Sequence, residues 1–179
     1  MSIGKDCGKR MKIKLNKKAP NFKLMSTSSK IFELSKLKNG IIIYFYPKDF
    51  TFICPTEIIE FASINDQLEN KNCVLIGGST DNEFCKLAWR REHPGLSKLN
   101  HRSFADPQGK LTSELGLMSE EGVAYRATMI VDPDNIVQHI CVNALDTGRN
   151  ADEVLRTLQA LKAGGLTGCS WNPGEEFVA

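Results

Sequence analysis

Long apolar runs are missing from this chain of 179 residues. No stretch approaches the roughly 20 consecutive apolar residues that a bilayer-spanning helix requires. Between Met1 and Lys18 no seven apolar residues follow one another, so this end has no signal-peptide core, and a reducing, cytoplasmic setting is expected. An excess of one charge is missing too. Lys and Arg number 23 against 21 Asp and Glu, a formal net charge of +2, which gives no bulk electrostatic case for nucleic acid or a membrane surface as partner. Histidine is scarce: His93, His101 and His139 are scattered, and none sits in a motif for a general base. The six cysteines, Cys7, Cys54, Cys73, Cys85, Cys141 and Cys169, include no C-x-x-C pair and no histidine at ligand spacing. That pattern excludes the usual zinc sites and the dithiol motif of thioredoxin-type disulfide exchange.

What is present is ordinary for a globular domain: 41% hydrophobic and 25% charged residues. Lysines crowd the start (Lys5, Lys9, Lys12, Lys14, Lys17 and Lys18) and read as a solvated end. Ile41–Tyr46 is a continuous apolar run suited to a strand covered on both faces, and Cys73–Gly78 is a second. Spacings of three and four predict a helix over Pro55–Leu68 and another over Glu83–Arg91, the latter capped by Asp81 or Asn82 and turned inward on Phe84, Leu87 and Ala88. Met25–Lys38 reads as a polar connector, Phe104–Gly109 as a turn and Leu111–Leu117 as a short helix. Ala127–Val131 and Ile136–Val142 flank Asp132-Pro133-Asp134-Asn135 as a hairpin. Asn150 and Glu153 open a last helix, striped by Val154, Leu155, Leu158 and Leu161, that Gly164-Gly165 end. Strand–helix–strand–helix, hairpin, helix predicts an α/β fold: one mixed sheet with helices on both faces.

The chemistry concentrates at Pro47-Lys48-Asp49-Phe50-Thr51-Phe52-Ile53-Cys54-Pro55-Thr56-Glu57. This stretch joins the first strand to the first long helix. Proline is favoured in the first helical turn, where its missing N–H costs nothing, so Cys54 is the expected N-cap. The positive end of the helix then faces its sulfur and favours the thiolate, the nucleophilic form. Thr51 places a hydroxyl one turn before the sulfur, and Pro47 stands at the mouth of the loop. Arg126 and Arg149 are available later in the chain, and arginine keeps its charge. Of the other thiols, Cys73 and Cys141 fall inside expected strands and are expected to be packed.

Pro47-x-x-x-Thr51-x-x-Cys54 resembles the active-site signature of peroxiredoxins, and Phe50–Glu57 is similar to the form in the typical two-cysteine branch of the alkyl hydroperoxide reductase (AhpC) type. Ala19–Phe22, Arg126–Thr128, Val131–Pro133 and Gly148–Asn150 extend the resemblance to Gly165. It implies a thioredoxin-like fold with a peroxidase domain at 19–165, a flexible segment at 1–18 and a tail at 166–179. It further implies that Cys54 is the peroxidatic cysteine, which attacks a peroxide and becomes a sulfenic acid, with antioxidant defence as the outcome. Thr51 and Arg126 would hold the peroxide oxygens, Pro47 would shield the pocket, and Glu57 and Arg149 would complete a charged network. Cys169 matches the resolving cysteine of a partner subunit by position, with Cys85 second. The resemblance implies no metal or organic cofactor and a homodimer, in some members a decameric ring. The expected reductant is a thiol system: thioredoxin, an AhpF-like flavoprotein or an AhpD-like carrier. The loop Ser119–Ala124 lacks the Gly-Gly-Leu-Gly stretch of relatives prone to overoxidation, so rapid disulfide formation is expected.

Overall fold

The structure, a computed structural model, describes residues 11–27 and 30–179. Its centre is the apolar run noted above. Strand β3 (Gly40–Phe45) is buried at every position. It pairs in parallel with β4 (Cys73–Ser79), from Gly40 opposite Cys73 to Phe45 opposite Gly78, and antiparallel with β6 (Arg126–Val131). The sheet is completed by β1 (Lys23–Ser26), β2 (Ile31–Glu33), β5 (Arg102–Ala105) and β7 (Val137–Asn143), in the order β2-β1-β5-β4-β3-β6-β7. Successive side chains of β3 point to opposite faces. Ile41, Ile43 and Phe45 join Phe22, Leu111, Leu115 and Val137 on one side. Ile42 and Tyr44 face the other side, where α1 (Ile53–Ser63), α2 (Asn65–Glu69), α3 (Glu83–Glu92) and α5 (Ala151–Ala163) pack through Ile58, Phe61, Leu68, Trp89, Val154, Leu155 and Leu158. Helix α4 (Lys110–Glu114) carries Leu111 into the first cluster. The mixed, two-faced α/β sheet expected from the sequence is what forms.

Several elements differ from their expected form. The single helix over Pro55–Leu68 is two, α1 and α2, because Ile64 takes φ −93°, ψ −6° in the bridge region; this step lets Ile64 as well as Phe61 and Leu68 reach the core. The polar connector Met25–Lys38 contains most of a β1–β2 hairpin, and β5 precedes the turn at Asp106–Gly109. These strands are too short for a legible period, and pairing with a neighbour decides them. Helix α3 does not bury Phe84, which is 73% exposed; it buries Lys86 and Trp89. Leu161 is likewise exposed on α5. Packing also begins before residue 18: Ile13 is buried, and the backbone N–H of Asn16 donates to Val137 O at 2.9 Å. The flexible segment expected over 1–18 therefore does not extend through 11–18; residues 1–10, with Cys7, lie outside the described residues.

The hairpin and the last helix form as read. Asp132 Oδ1 accepts from the N–H groups of Asp134 and Ile136, both at 2.9 Å. Asn150 Oδ1 accepts from Glu153 N at 2.9 Å as N-cap, and Gly164 ends α5 at φ +75°. Among the described residues no helix is long and apolar enough to cross a membrane.

Glycine is required where β4 passes under the Tyr44 ring. A Cβ at Gly77 would lie 2.0 Å from Tyr44 Cζ, and that ring is fixed by stacking on Phe61 at 4.2 Å and by His101 Nε2 at 2.7 Å. Gly77→Ala is expected to cost about 1–3 kcal/mol, the usual range for overpacking, read as a lower midpoint in urea unfolding.

Candidate active site

Helix α1 starts because β3 delivers the chain into a loop, Tyr46–Phe52, that is held from within. Tyr46 Oη donates to Asp49 Oδ1 at 2.8 Å, and Asp49 N donates to Asp81 Oδ2 at 2.7 Å. Pro47 and Asp49 are buried while Phe50 and Phe52 are exposed. The N-cap is Phe52, so Cys54 is the second residue of the helix instead of the cap. The first helical turn still presents N–H groups without intrahelical partners near the cysteine. Pro55, without an N–H, removes one of those orphan donors.

Cys54 is 1% exposed. Its sulfur lies 3.5 Å from Arg126 Nη1, and the same nitrogen donates to Glu57 Oε2 at 2.7 Å. Arg126 Nε is occupied by Leu145 O at 2.7 Å. Arg149 completes the group with a two-pronged contact: Nε to Glu57 Oε1 at 2.8 Å and Nη2 to Oε2 at 2.9 Å. Its Nη1 donates to Ala127 O at 2.6 Å, and its guanidinium carbon stands 5.6 Å from the Tyr44 ring centroid and 5.4 Å from that of Phe61. All three ionic side chains are at most 4% exposed. Two guanidinium cations against one carboxylate leave one positive charge next to the sulfur. Charge buried without compensation is costly, so the pocket is built to meet negative charge that develops beside the sulfur.

Burial on its own would raise the Glu57 carboxyl; the hydrogen bonds and charge of Arg149, and then of Arg126, more than offset it and hold the group below its ordinary 4.5. Thr51 is near in sequence, but its hydroxyl donates to Lys48 O at 2.8 Å. The structure thus gathers Cys54, Glu57, Arg126 and Arg149 directly and leaves the Thr51 hydroxyl on its own loop.

The remaining thiols separate by environment. Burial pushes Cys73 up to about 11. Cys85 is half-buried, and burial, then Asp49 and Asp81, push it up as well. Cys141 is half-buried on β7, less enclosed than the packed strand position expected. Cys169 is exposed. Its tail is not a loose end: Trp171 is 6% exposed, stacks on Phe177 and donates from Nε1 to Glu175 O at 3.0 Å, while Arg156 Nη1 donates to Trp171 O at 3.0 Å. His101 is structural: its Nε2 meets Tyr44 Oη, and burial, then Arg90, hold it down to about 3. Among the described residues no three His, Cys, Asp or Glu side chains converge to hold a metal ion.

Sequence reasoning passed over Lys86, which lies inside the molecule with Nζ 3.2 Å from Asp49 Oδ1. The one signal was its place three residues before Trp89, on that residue's face of the helix.

A parallel β3–β4 pair with a cysteine at the β3–α1 junction is the architecture of thioredoxin-like redox proteins. Comparison with known proteins narrows this class. The model of the AhpC/TSA family matches residues 15–140, and the chain belongs to that family. It is 45% identical over 137 residues to alkyl hydroperoxide reductase C of Mycolicibacterium smegmatis (76% of this chain, 70% of that one). It is 36% identical to a chloroplastic 2-cysteine peroxiredoxin of Chattonella marina var. antiqua over 94% of this chain and 93% of the relative. Among solved structures, reduced 2-Cys peroxiredoxin of Plasmodium vivax superposes with a TM-score of 0.85 at 30% identity, over 90% of this chain and 91% of that one. AhpC of Mycobacterium tuberculosis gives 0.78 at 33% identity, over 84% and 98%.

The carboxylate bridge sets an acid limit. A carboxyl depressed in the folded state stabilises the protein above its unfolded value, and that contribution is lost as pH falls through the folded value. Wild-type stability is therefore expected to drop as pH falls below 4.5, and Glu57→Gln is expected to lack that part of the profile. At neutral pH the same variant leaves both guanidiniums without their carboxylate and is expected to lose about 3–5 kcal/mol, measured by urea unfolding at a series of pH values.

Proposed function

We propose that this chain is a thiol-dependent peroxidase in which Cys54 is the peroxidatic cysteine and Cys169 the resolving one. The carrying observation is the Arg126 guanidinium 3.5 Å from the Cys54 sulfur, tied to a buried carboxylate and leaving one positive charge uncompensated. Membership of the AhpC/TSA family and likeness to proteins named alkyl hydroperoxide reductase C and 2-Cys peroxiredoxin support the same reading.

In the first step the Cys54 thiolate attacks the terminal oxygen of hydrogen peroxide or a small organic hydroperoxide. An S–O bond forms and the O–O bond breaks. The sulfur is oxidised to a sulfenic acid, and the leaving oxygen takes a proton and departs as water or an alcohol. Arg126 stabilises charge on the departing oxygens; Thr51 is assigned to the other peroxide oxygen, with its hydroxyl turning from Lys48 O. Pro47 shields the sulfur. Glu57 and Arg149 fix the orientation of Arg126. In the second step the Cys169 thiol of a partner subunit attacks the sulfenic acid, an S–S bond forms and water leaves.

Cys54 is enclosed and Cys169 is exposed, so the second step requires the first turn of α1 to open. The tail 166–179 serves as the resolving arm on a peroxidase domain. An external dithiol supplies two electrons to close the cycle: thioredoxin, an AhpF-like flavoprotein or an AhpD-like carrier. The working form is a homodimer or a ring of dimers in the cytoplasm. The chemistry is carried by thiols and asks for no cofactor.

The test is peroxide consumption with dithiothreitol as reductant, together with non-reducing electrophoresis. Cys54→Ser is expected to reduce turnover by about 10³-fold or more, as removal of a nucleophile does elsewhere. Cys169→Ser is expected to retain the first step and lose the peroxide-induced covalent dimer. Full turnover in Cys54→Ser would overturn the proposal.

A further inference from the structure

The segment bearing Cys54 is bounded at both ends by buried ions. At the C-terminal end Glu57 joins Arg126 and Arg149. At the N-terminal end Asp49 joins Lys86, with side-chain exposures of 0% and 1%. Lys86 Nζ reaches Asp49 Oδ1 at 3.2 Å and Oδ2 at 3.3 Å, Tyr46 Oη at 3.1 Å and Ser79 Oγ at 2.5 Å. Ser79 Oγ donates in turn to Asp81 Oδ2 at 3.0 Å, the oxygen that also accepts Asp49 N. Strand β4, helix α3 and the loop that follows β3 are thereby joined through one ammonium group.

Between the two anchors, residues 50–56 are held differently. Phe50 takes φ +55°, a left-handed conformation rare outside glycine. Phe50 and Phe52 are 51% and 95% exposed. The side-chain hydrogen bonds of Thr51 and Thr56 are local, to Lys48 O and Ile53 O. Outside the segment the contacts include Arg126 on the Cys54 sulfur and the Phe50 ring 5.7 Å from that of Trp89. An opening confined to 50–56 leaves both ion pairs intact, whereas an opening extended through Asp49 strands a buried lysine without its counter-ion.

We infer that Lys86 is a positioning residue for the peroxidase reaction: its bond to Asp49 fixes the N-terminal hinge of the Cys54 segment and so sets the balance between the closed form, which reacts with peroxide, and the open form, which meets Cys169. This rests on the roles assigned above to Cys54 and Cys169. Loosening the hinge moves population from closed to open. The first step slows, and the sulfenic acid is passed to Cys169 before a second peroxide converts it to sulfinate.

The experiment titrates full-length protein with hydrogen peroxide. It measures the second-order rate constant of Cys54 and, by mass spectrometry, the ratio of Cys54–Cys169 disulfide to Cys54 sulfinate. Lys86→Met is expected to lower the rate constant and raise the ratio, each by about tenfold, a shift well within the reach of one conformational bias. Lys98→Met, at an exposed lysine on another loop, is expected to change neither. A folded Lys86→Met protein with the wild-type ratio overturns the inference, whatever its melting temperature. If that variant does not fold, Asp49→Asn/Lys86→Met removes both charges together, and an unchanged ratio there overturns it equally. Wild-type protein that forms neither sulfenate nor disulfide would reject the proposed function itself, a different result.

Discussion

The Glu57 carboxylate is the fixed point of this molecule's chemistry. It is nearly inaccessible, it takes two hydrogen bonds from the Arg149 side chain and one from Arg126, and it also accepts the backbone N–H of Arg149 at 3.0 Å. Helix α1, the start of β6 and the turn into α5 are thereby joined at one group. An isolated buried charge is expensive, and a carboxylate shared by two guanidiniums offsets that cost through geometry that long surface side chains cannot hold. The arrangement leaves Arg126 in one orientation, with a nitrogen against the Cys54 sulfur. A reacting centre gains from donors that are already in place when charge develops, and the sheet provides this rigidity.

The surrounding apolar packing serves the same end. Tyr44 lies flat over Gly77 because that position has no Cβ, stacks on Phe61, and presents its ring toward Arg149. Helix α1 is therefore pressed on the sheet through Cys54, Ile58 and Phe61, while Phe50 and Phe52 just before it are exposed. The thiol proposed to be enclosed for one step and released for the next thus follows directly on an exposed loop. Local openings draw on segments with few buried apolar contacts, and residues 50–52 fit that description. Cys169 lies on a tail secured at Trp171 and is exposed without being loose.

Much of the fold is legible in the linear pattern. The continuous apolar runs announce β3 and β4, the Asp132–Asn135 turn announces the β6–β7 hairpin, and Asn150 with Gly164 brackets α5 to the residue. The position of Cys54 at a strand-to-helix junction, followed by proline, singles it out as the candidate reactive thiol, although the cap itself is two residues earlier. The misreadings share a cause. β1, β2 and β5 are three or four residues long and are strands because neighbours offer them hydrogen bonds. On α3, residue type turns Phe84 inward and gives no reason to bury Lys86; the buried Asp49 draws Lys86 in instead, and Phe84 is left outside.

Wherever an apolar face repeats along many residues, the order of residues is enough to set a strand or a helix, and it is enough to place a cysteine at the start of a helix. Those features are local, so a linear pattern can carry them. What surrounds the sulfur is a matter for the closed fold. Arg126 and Glu57 are 69 residues apart, and Arg149 and Glu57 are 92. A charged residue's place inside or outside depends on whether a partner arrives from such a distance, because burial of the pair and burial of the lone ion differ by several kcal/mol. That term belongs to no single segment, and so Glu57 and Lys86 acquire their roles only when the chain has closed around them.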